Sequence, residues 1–268
     1  MLNFSNCKIN IGLDIISKRN DGYHNIETVF YPVPFYDILE ILPSNEFLLI
    51  NKGIEINCPL EKNLCYKAFK IIEKNFNINP IKIILYKKIP FGTGLGAGSA
   101  NAAFTLKLLN KFFNLQLSFQ QLENYASEIG SDCAFFIKNE ATFASEKGNV
   151  FEKIKLNLNG FFLLLAFPNF TINTKEAYLN CKPSLQKNNI KDIIRLPIEK
   201  WNQYLKNDFE NYAFKKIKIL SKIKDEMYEK GALYAQMSGS GSCIYGIFKI
   251  GINNIKLNSC ENTFACML

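Results

Sequence analysis

Apolar and polar residues alternate almost from the first position, and the period of two predicts a strand over about residues 6–16. Further strands are predicted over 27–32, 36–42 and 47–50, separated by the R-N-D-G turn at 19–22 and by Pro32, Pro34 and Pro43. Over 62–76 the period changes: Leu64, Ala68, Ile71, Ile72 and Phe76 fall close to one helical face. A strand at 81–86, a glycine-rich loop at 92–98 and a helix over about 98–113 follow. A second helix over 118–130 opens on Ser118 as N-cap and closes on Gly130. Short strands are expected at 141–145 and 150–154. A second block starts with an apolar strand at 160–166 and continues through short helices across 174–195. It ends in a lysine-rich amphipathic helix near 208–229 and a strand–turn–strand over 232–249. There is no internal repeat and no low-complexity linker, so the pattern reads as an α+β protein of two domains, 1–155 and 156–268.

Composition narrows the class. With 268 residues, 48% hydrophobic and 21% charged, the chain is an ordinary globular one. The longest apolar run, G-F-F-L-L-L-A-F at 160–167, has the length of a buried strand and not of a membrane span. The N-terminus lacks the basic, apolar and small-residue regions of a secretory signal, so the expected location is cytoplasmic. Eight cysteines contain no C-x-x-C pair and are joined by one histidine, which speaks for reduced structural thiols and against a zinc site. A net charge of +8 fits a polyanion or a small phosphorylated substrate, but the lysines are spread with no block that would form a nucleic-acid arm.

The stretch P-F-G-T-G-L-G-A-G-S-A, residues 90–100, changes the picture most. Glycines at 92, 94, 96 and 98 allow positive φ and close approach, so successive amides can turn toward an anion. The alanine-rich helix behind them adds free N–H groups and the positive end of its dipole. The Walker pattern fails, because no lysine lies between 89 and 106. The dinucleotide fingerprint fits only loosely, since helix and F-F-N-L-Q-L-S-F-Q-Q occupy the place of the acidic residue it needs.

Pro90-x-x-x-Gly94-Leu95-Gly96-Ala97-Gly98-Ser99-Ala100 resembles the ATP loop of the GHMP small-molecule kinases. Two more motifs similar to that family stand in the matching order, C-K-I-N-I-G-L-D-I at 7–15 and M-S-G-S-G-S-C-I-Y-G-I-F at 237–248. The resemblance covers nearly the whole chain. It implies a two-subdomain fold with the active site in the cleft between subdomains, and ATP with Mg2+ as phosphoryl donor. It assigns ATP binding to Pro90, Gly92, Gly94, Leu95, Gly96, Ala97, Gly98, Ser99 and Ala100, with the Ser99 hydroxyl near the metal.

Two further stretches, R-N-D-G-Y-H-N-I-E-T-V-F at 19–30 and G-S-D-C-A-F-F at 130–136, resemble the family members that act on a cytidine diphosphate substrate. For those members the reaction is phosphorylation of the 2-hydroxyl of a methylerythritol unit on the non-mevalonate route to isoprenoids. Phosphoryl transfer needs positioning, charge stabilisation and a group to take the hydroxyl proton. Asp132, between a helix end and an apolar run, and Lys8, at the start of an apolar strand, suit those needs as an acid–ammonium pair. By resemblance they match the family's catalytic aspartate and lysine. The resemblance also gives the lone His24, otherwise an unremarkable ring in a turn, the pyrimidine edge to bind. Tyr23 would cover one face of the base and Tyr178 the other, with Phe170 as the alternative to Tyr178. Asn10, on the same side of its strand as Lys8, and Thr174 would touch the substrate.

The chain departs from the pattern at 141–154, where only Gly148 with Lys147 beside it stands in place of a glycine-rich turn, and no contact is assigned there. Gly239 and Ser240 belong to a turn that a tight hairpin alone would explain. Two other readings stay open: a sibling kinase acting on a different small alcohol, and a basic RNA-binding module. The first has no use for Tyr23 and His24, and the second leaves the glycine loop unexplained. Small molecules are the expected partners, with neither nucleic acid nor membrane, and the oligomeric state is open.

Overall fold

The computed structural model describes residues 1–183, 189–251 and 255–268. In chain order the elements are β1 (Leu2–Lys18), β2 (His24–Pro43), β3 (Leu48–Gly53), α1 (Leu64–Asn75), β4 (Ile81–Lys87), α2 (Ala97–Phe112), α3 (Phe119–Ile129) and α4 (Phe135–Lys138). They continue with β5 (Thr142–Ser145), β6 (Val150–Lys153), β7 (Phe161–Ala166), α5 (Thr174–Leu179), α6 (Ile190–Ile193) and α7 (Trp201–Tyr204). The last are α8 (Glu210–Lys216), α9 (Ile219–Glu229), β8 (Tyr234–Met237), β9 (Ile244–Lys249) and β10 (Thr263–Met267). The chain forms two compact units, and neither is continuous in sequence. One comprises Met1–Cys7, Phe35–Phe91 and Gly96–Glu140, the other Lys8–Pro34, Gly92–Leu95 and Ala141–Leu268. Both long strands, β1 and β2, contribute residues to each unit, and residues 155 and 156 both fall in the second.

In the first unit β2 pairs antiparallel with β4 from Ile38↔Tyr86 to Pro43↔Ile81, and β3 runs parallel to β4. Period-two alternation buries Phe35, Asp37, Leu39 and Ile41 of β2 with Ile81, Ile83, Leu85 and Lys87 of β4. The buried face of α1 is Cys65, Ala68, Phe69 and Ile72. Ala68 and Ile72 belong to the stripe read from the sequence, whose other members, Leu64, Ile71 and Phe76, are only half-buried. Ser118 caps α3 in a reciprocal capping box with Gln121, as its sequence predicts. Gly130 ends that helix in extended backbone at φ −179°, so the stop there does not use a left-handed glycine.

A buried charge sits in this unit. The Asp37 carboxylate takes the Lys87 ammonium, the Lys88 and Ile89 amides at 2.8 and 2.9 Å, and Asn101 Nδ2 at 3.1 Å. Asn101 Oδ1 accepts in turn from Ser5 Oγ at 2.7 Å. Removing one member would strand a buried charge, which typically costs about 3–5 kcal/mol. Its place matters more than its energy. It ties the exit of β4 to the second turn of α2, the two flanks of the glycine-rich loop.

In the second unit β10, β7, β9 and β8 form an antiparallel sheet in that order. Its core gathers Leu13, Ile15, Leu164, Phe209, Leu220, Ile223, Met227, Met237 and Phe248. The helix expected over 208–229 is two helices, α8 and α9, broken at Ile217 (φ −132°, ψ 85°). Of the short helices expected across 174–195, α5 and α6 are present, and residues 184–188 lie outside the described residues. The first half of β2 pairs with β5 at Thr28↔Ala144 to Phe30↔Thr142, and β5 continues into β6. No helix among the described residues is long and apolar enough to cross a membrane.

Candidate active site

The glycine-rich loop is fixed by backbone geometry. Gly92, Gly94 and Gly96 have φ of 65°, 76° and 67°, a region that side chains other than glycine's rarely adopt. At Gly94 the requirement is also steric, because a Cβ there would stand 1.9 Å from the Ser238 carbonyl oxygen. The loop lies that close to the β8–β9 turn because the turn stitches it in place. Ser242 N donates to Gly92 O at 3.2 Å, Cys243 N to Thr93 O at 3.2 Å, and Ser238 Oγ to Gly94 O at 3.0 Å. Asn207 holds the same turn through Nδ2, which donates to Met237 O and Gly239 O at 2.8 Å each. Gly96 then starts α2 in the left-handed region with no side-chain cap, so the first amides of the helix have no capping side chain. Leu95, Ala97 and Ala100 are buried packing residues, and Pro90 is half-buried at the loop's entry.

Lys8 lies beside this loop at 3% exposure. Its Nζ donates to Asn10 Oδ1 at 2.6 Å and to Gly94 O at 3.2 Å, and sits 4.7 Å from the centre of the Phe30 ring. Its own amide donates to Leu95 O at 3.0 Å. An ammonium only donates, so it fixes the Asn10 amide with oxygen toward Lys8 and nitrogen toward Thr28. That nitrogen donates to Thr28 Oγ1 at 3.0 Å, and Thr28 passes its proton to Gly12 O at 2.5 Å. Thr28 is a partner the sequence did not reveal. Its signal was a polar residue at an inward position of β2.

The turn before β2 is built by Asp21, whose Oδ1 accepts from Tyr23 N at 3.1 Å, with Gly22 at φ 83°. The amide of Tyr23, and next the Arg19 guanidinium, hold the Asp21 carboxyl below its usual range. His24 is half-buried, and burial, with the Lys18 charge second, lowers its pKa from the ordinary 6.5. Its ring stacks on Tyr178 at 4.9 Å between centres and 17° between planes, and Tyr178 meets Phe209 edge-on at 4.8 Å. Tyr23 is 62% exposed, with the Lys147 ammonium 5.1 Å above its ring. Lys147 is the second residue to which the sequence reading gave no role. Thr174 opens α5, and its hydroxyl is 2.9 Å from that of Ser240. Phe170 is exposed, and its carbonyl accepts the Ser242 hydroxyl.

In the first unit, Asp132 is half-buried in the turn between α3 and α4. The neighbouring Cys133 thiol hydrogen-bonds with Ser99, and burial pushes its pKa up to about 12, so it stays protonated. Ser99 and the Asp132 turn are therefore joined through one thiol. Among the described residues no group of three or more His, Cys, Asp or Glu side chains could hold a metal ion. The structure thus brings Lys8 to Asn10 and Gly94, His24 to Tyr178, Thr174 to Ser240, and Ser99 to the turn that carries Asp132.

Comparison with known proteins identifies the family. Residues 63–140 match the model of the GHMP kinases N terminal domain, and residues 182–256 that of the GHMP kinases C terminal domain. A 4-diphosphocytidyl-2-C-methyl-D-erythritol kinase of Bacteroides fragilis is 49% identical over 252 residues, covering 92% of each chain. One from Caldanaerobacter subterraneus is 36% identical over 90% of this chain and 85% of its own. A crystal structure of 4-(cytidine 5'-diphospho)-2C-methyl-D-erythritol kinase superimposes with a TM-score of 0.77 at 26% identity, over 92% of this chain and 90% of that one. The mevalonate kinase of Methanococcus jannaschii shares the fold alone, at a TM-score of 0.70 and 18% identity over 100% and 98% of the two chains. The chain belongs to the GHMP kinase family, among its 4-diphosphocytidyl-2-C-methyl-D-erythritol kinases.

Proposed function

We propose that this enzyme transfers the terminal phosphoryl group of ATP to the 2-hydroxyl of 4-(cytidine 5'-diphospho)-2-C-methyl-D-erythritol, a step of non-mevalonate isoprenoid synthesis in the cytoplasm. The observation that carries the reading is the buried Lys8 ammonium held on the Gly94 carbonyl of the glycine loop. It puts a fixed positive charge at a backbone cradle for phosphate. The near-complete match to relatives named for this substrate supports the choice of acceptor.

ATP phosphates rest on the amides of Gly92 to Ala100, with Pro90 setting the entry. Gly98 supports that use: a Cβ there would meet only Leu64 Cδ1, at 3.7 Å, so the protein's own packing does not demand glycine. Lys8 steadies charge on the transferred group, while Asp132 accepts the proton of the attacking hydroxyl. The Ser99 hydroxyl, in the first turn of α2, fits Mg2+, which keeps several waters and takes few protein ligands beside the ATP phosphates. When bound, the ion offsets phosphate charge. On the acceptor side, neutral His24 hydrogen-bonds the cytosine edge, Tyr23 and Tyr178 (or Phe170) cover its faces, and Asn10 and Thr174 orient the rest. The division into domains 1–155 and 156–268 is kept as a proposal, supported by family models that match on either side of it.

The test is ATP consumption with Mg2+ and the cytidine substrate, its uridine counterpart, galactose, homoserine or mevalonate. Turnover with the cytidine compound alone is expected. Asp132→Asn should lower kcat about 10²–10⁴-fold, and His24→Ala should weaken turnover chiefly in KM. Turnover with another alcohol and not with this one would overturn the substrate assignment.

A further inference from the structure

α5 is a helix of six residues, too short to hold its own shape in water, yet it carries two residues of the acceptor side. Thr174 and Tyr178 are four residues apart and share a face, with the buried Ala177 beside them. Glu176 stands two residues from each, about 200° around the axis, so its carboxylate leaves the helix on the opposite side. Asn173 caps the first turn, its side chain accepting from Glu176 N at 3.1 Å. A cap fixes where a helix starts, and leaves its roll about the axis to other contacts.

The roll is set against α8. The Glu176 carboxylate accepts from the Tyr212 hydroxyl, and both of its oxygens accept from Lys216 Nζ, at 2.6 and 2.7 Å. Tyr212 and Lys216 are four residues apart on α8, so they are surface neighbours and close on one carboxylate together. The hydrogen bond from Lys216 first, and that from Tyr212 next, hold the carboxyl below its usual range, so it is ionised at neutral pH. The start of α8 is anchored in turn: Glu210 accepts from Lys224 Nζ of α9 at 2.7 Å and from Met237 N of β8 at 2.8 Å. Phe209, just before α8, is buried and takes the edge contact with Tyr178. Thus α8 grips α5 from two sides of the short helix.

What the grip protects is the 17° between the Tyr178 and His24 planes. A base hydrogen-bonded to the imidazole edge lies near the plane of that ring, and is then nearly parallel to Tyr178 as well. A roll of α5 by about 20°, at the radius of about 5–6 Å that side chains reach, moves the tyrosine ring by about 2 Å. That is enough to take it off the face of a base. We infer that Glu176 is a positioning residue for the cytosine end of the substrate: bound by Tyr212 and Lys216, it sets the roll of α5 and holds the Tyr178 ring parallel to His24. Glu176 acts through the helix it pins and not by touching the base. At 43% and 41% side-chain exposure, Glu176 and Lys216 form a pair that adds little to folding, so its loss should show in the site and not in overall stability. The inference rests on the cytidine substrate proposed above.

His24 is the only histidine in the chain, so the full-length protein labelled at histidine alone gives one set of ring-proton signals. Without added ligand, the ring current of Tyr178 should displace these signals upfield in wild type, and Tyr178→Leu sets their value without it. Glu176→Ala should lose half or more of the displacement. Glu176→Gln keeps an acceptor oxygen for the Tyr212 hydroxyl and should recover most of it. In steady state, Glu176→Ala should raise the KM for the cytidine substrate about fivefold to tenfold, the worth of one aromatic contact. The kcat, the KM for ATP and the urea midpoint should stay at their wild-type values, and Glu176→Gln should lie close to wild type throughout. Unchanged His24 signals in Glu176→Ala overturn the inference. So does a variant whose kcat or KM for ATP moves as far as its KM for the cytidine substrate. A wild type that turns over a different alcohol in place of the cytidine compound overturns the substrate reading and this inference with it. The two failures are told apart by whether wild type or only the variant departs from expectation.

Discussion

A buried ammonium is costly unless its protons are used, and Lys8 uses them on the side chain of Asn10 and on the loop carbonyl of Gly94. Lys8→Ala should therefore lower kcat about 10²–10³-fold, the usual loss for a preorganised charge aimed at a transition state. Asp132→Asn should lower kcat about 10²–10⁴-fold with little change in KM for ATP, the range of a positioned proton acceptor. Single-turnover kinetics separates both from slow product release. His24 gives a pH prediction of definite sign. Its folded pKa lies below 6.5, so the ring is neutral at pH 7. The KM for the cytidine substrate should be flat from pH 8 to about 6.5 and rise in more acid solution as the ring charges. The same shift destabilises the fold as pH falls through the unfolded value, because the unfolded ring takes its proton first; the loss stops once the folded ring is charged too. His24→Gln should remove that acid sensitivity, read as urea midpoint against pH. Lys8, Asn10 and His24 were legible because each stands out against its local pattern. Thr28 and Lys147 were not, because their significance lies in partners far along the chain.

Within elements, the loop and the helix behind it separate folding from binding. Gly94→Ala demands a positive φ and a Cβ 1.9 Å from a carbonyl oxygen, so the β8–β9 turn must move. A loss of about 2 kcal/mol or more in stability is expected, with a raised KM for ATP. Gly98→Ala should do the reverse for the fold. Its site is helical and open, and alanine there should stabilise by about 0.5–1 kcal/mol while still raising the KM for ATP. Lys107, on α2, donates to Phe136 O at 3.0 Å, and burial lowers its pKa to about 8. Below pH 8 the fold bears the whole cost of that charge, and the cost fades as pH rises toward the unfolded value near 10.5. Lys107→Met should be more stable than wild type at pH 7 by up to about 3 kcal/mol, the free energy of the shift. The margin should shrink by pH 10, as read from melting temperatures. Elements with strong local signals were legible, such as the capping box of α3 and the four-glycine loop. Those set by distant pairing were not. β2 runs unbroken through Pro32 and Pro34, which fall between its stretches paired with β5 and with β4 and so forfeit no bond of either ladder. β10 is a short strand of alternating exposure whose state is imposed by β7, and the α8–α9 break carries no glycine or proline.

At the scale of the whole molecule the sequence offered a charge and an order of motifs, but not the units they form. The first seven residues and residues 8–34 belong to different units although one strand joins them, and no local composition marks that division. The charge has a consequence of its own. A net +8 surrounds a reaction whose two substrates are both phosphate anions, and lysines spread over the chain give a long-range positive field in place of a single binding arm. Such a field reaches about 30 Å at 0.01 M salt and about 8 Å at 0.15 M. It acts on the approach of ligands and not on the bound complex, where the short contacts of Lys8 and the loop amides dominate. Raising salt from about 10 to about 200 mM should therefore lower kcat/KM for the cytidine substrate several-fold, at the lower end of the range that steering supplies. At saturating substrate kcat should hardly move. Potassium chloride and a larger, weakly binding salt at equal ionic strength distinguish screening from competition by a particular anion. An unchanged kcat/KM would mean that the basic surface serves no substrate, whereas a fall confined to kcat would place the charge effect in the bound state, on Lys8 itself.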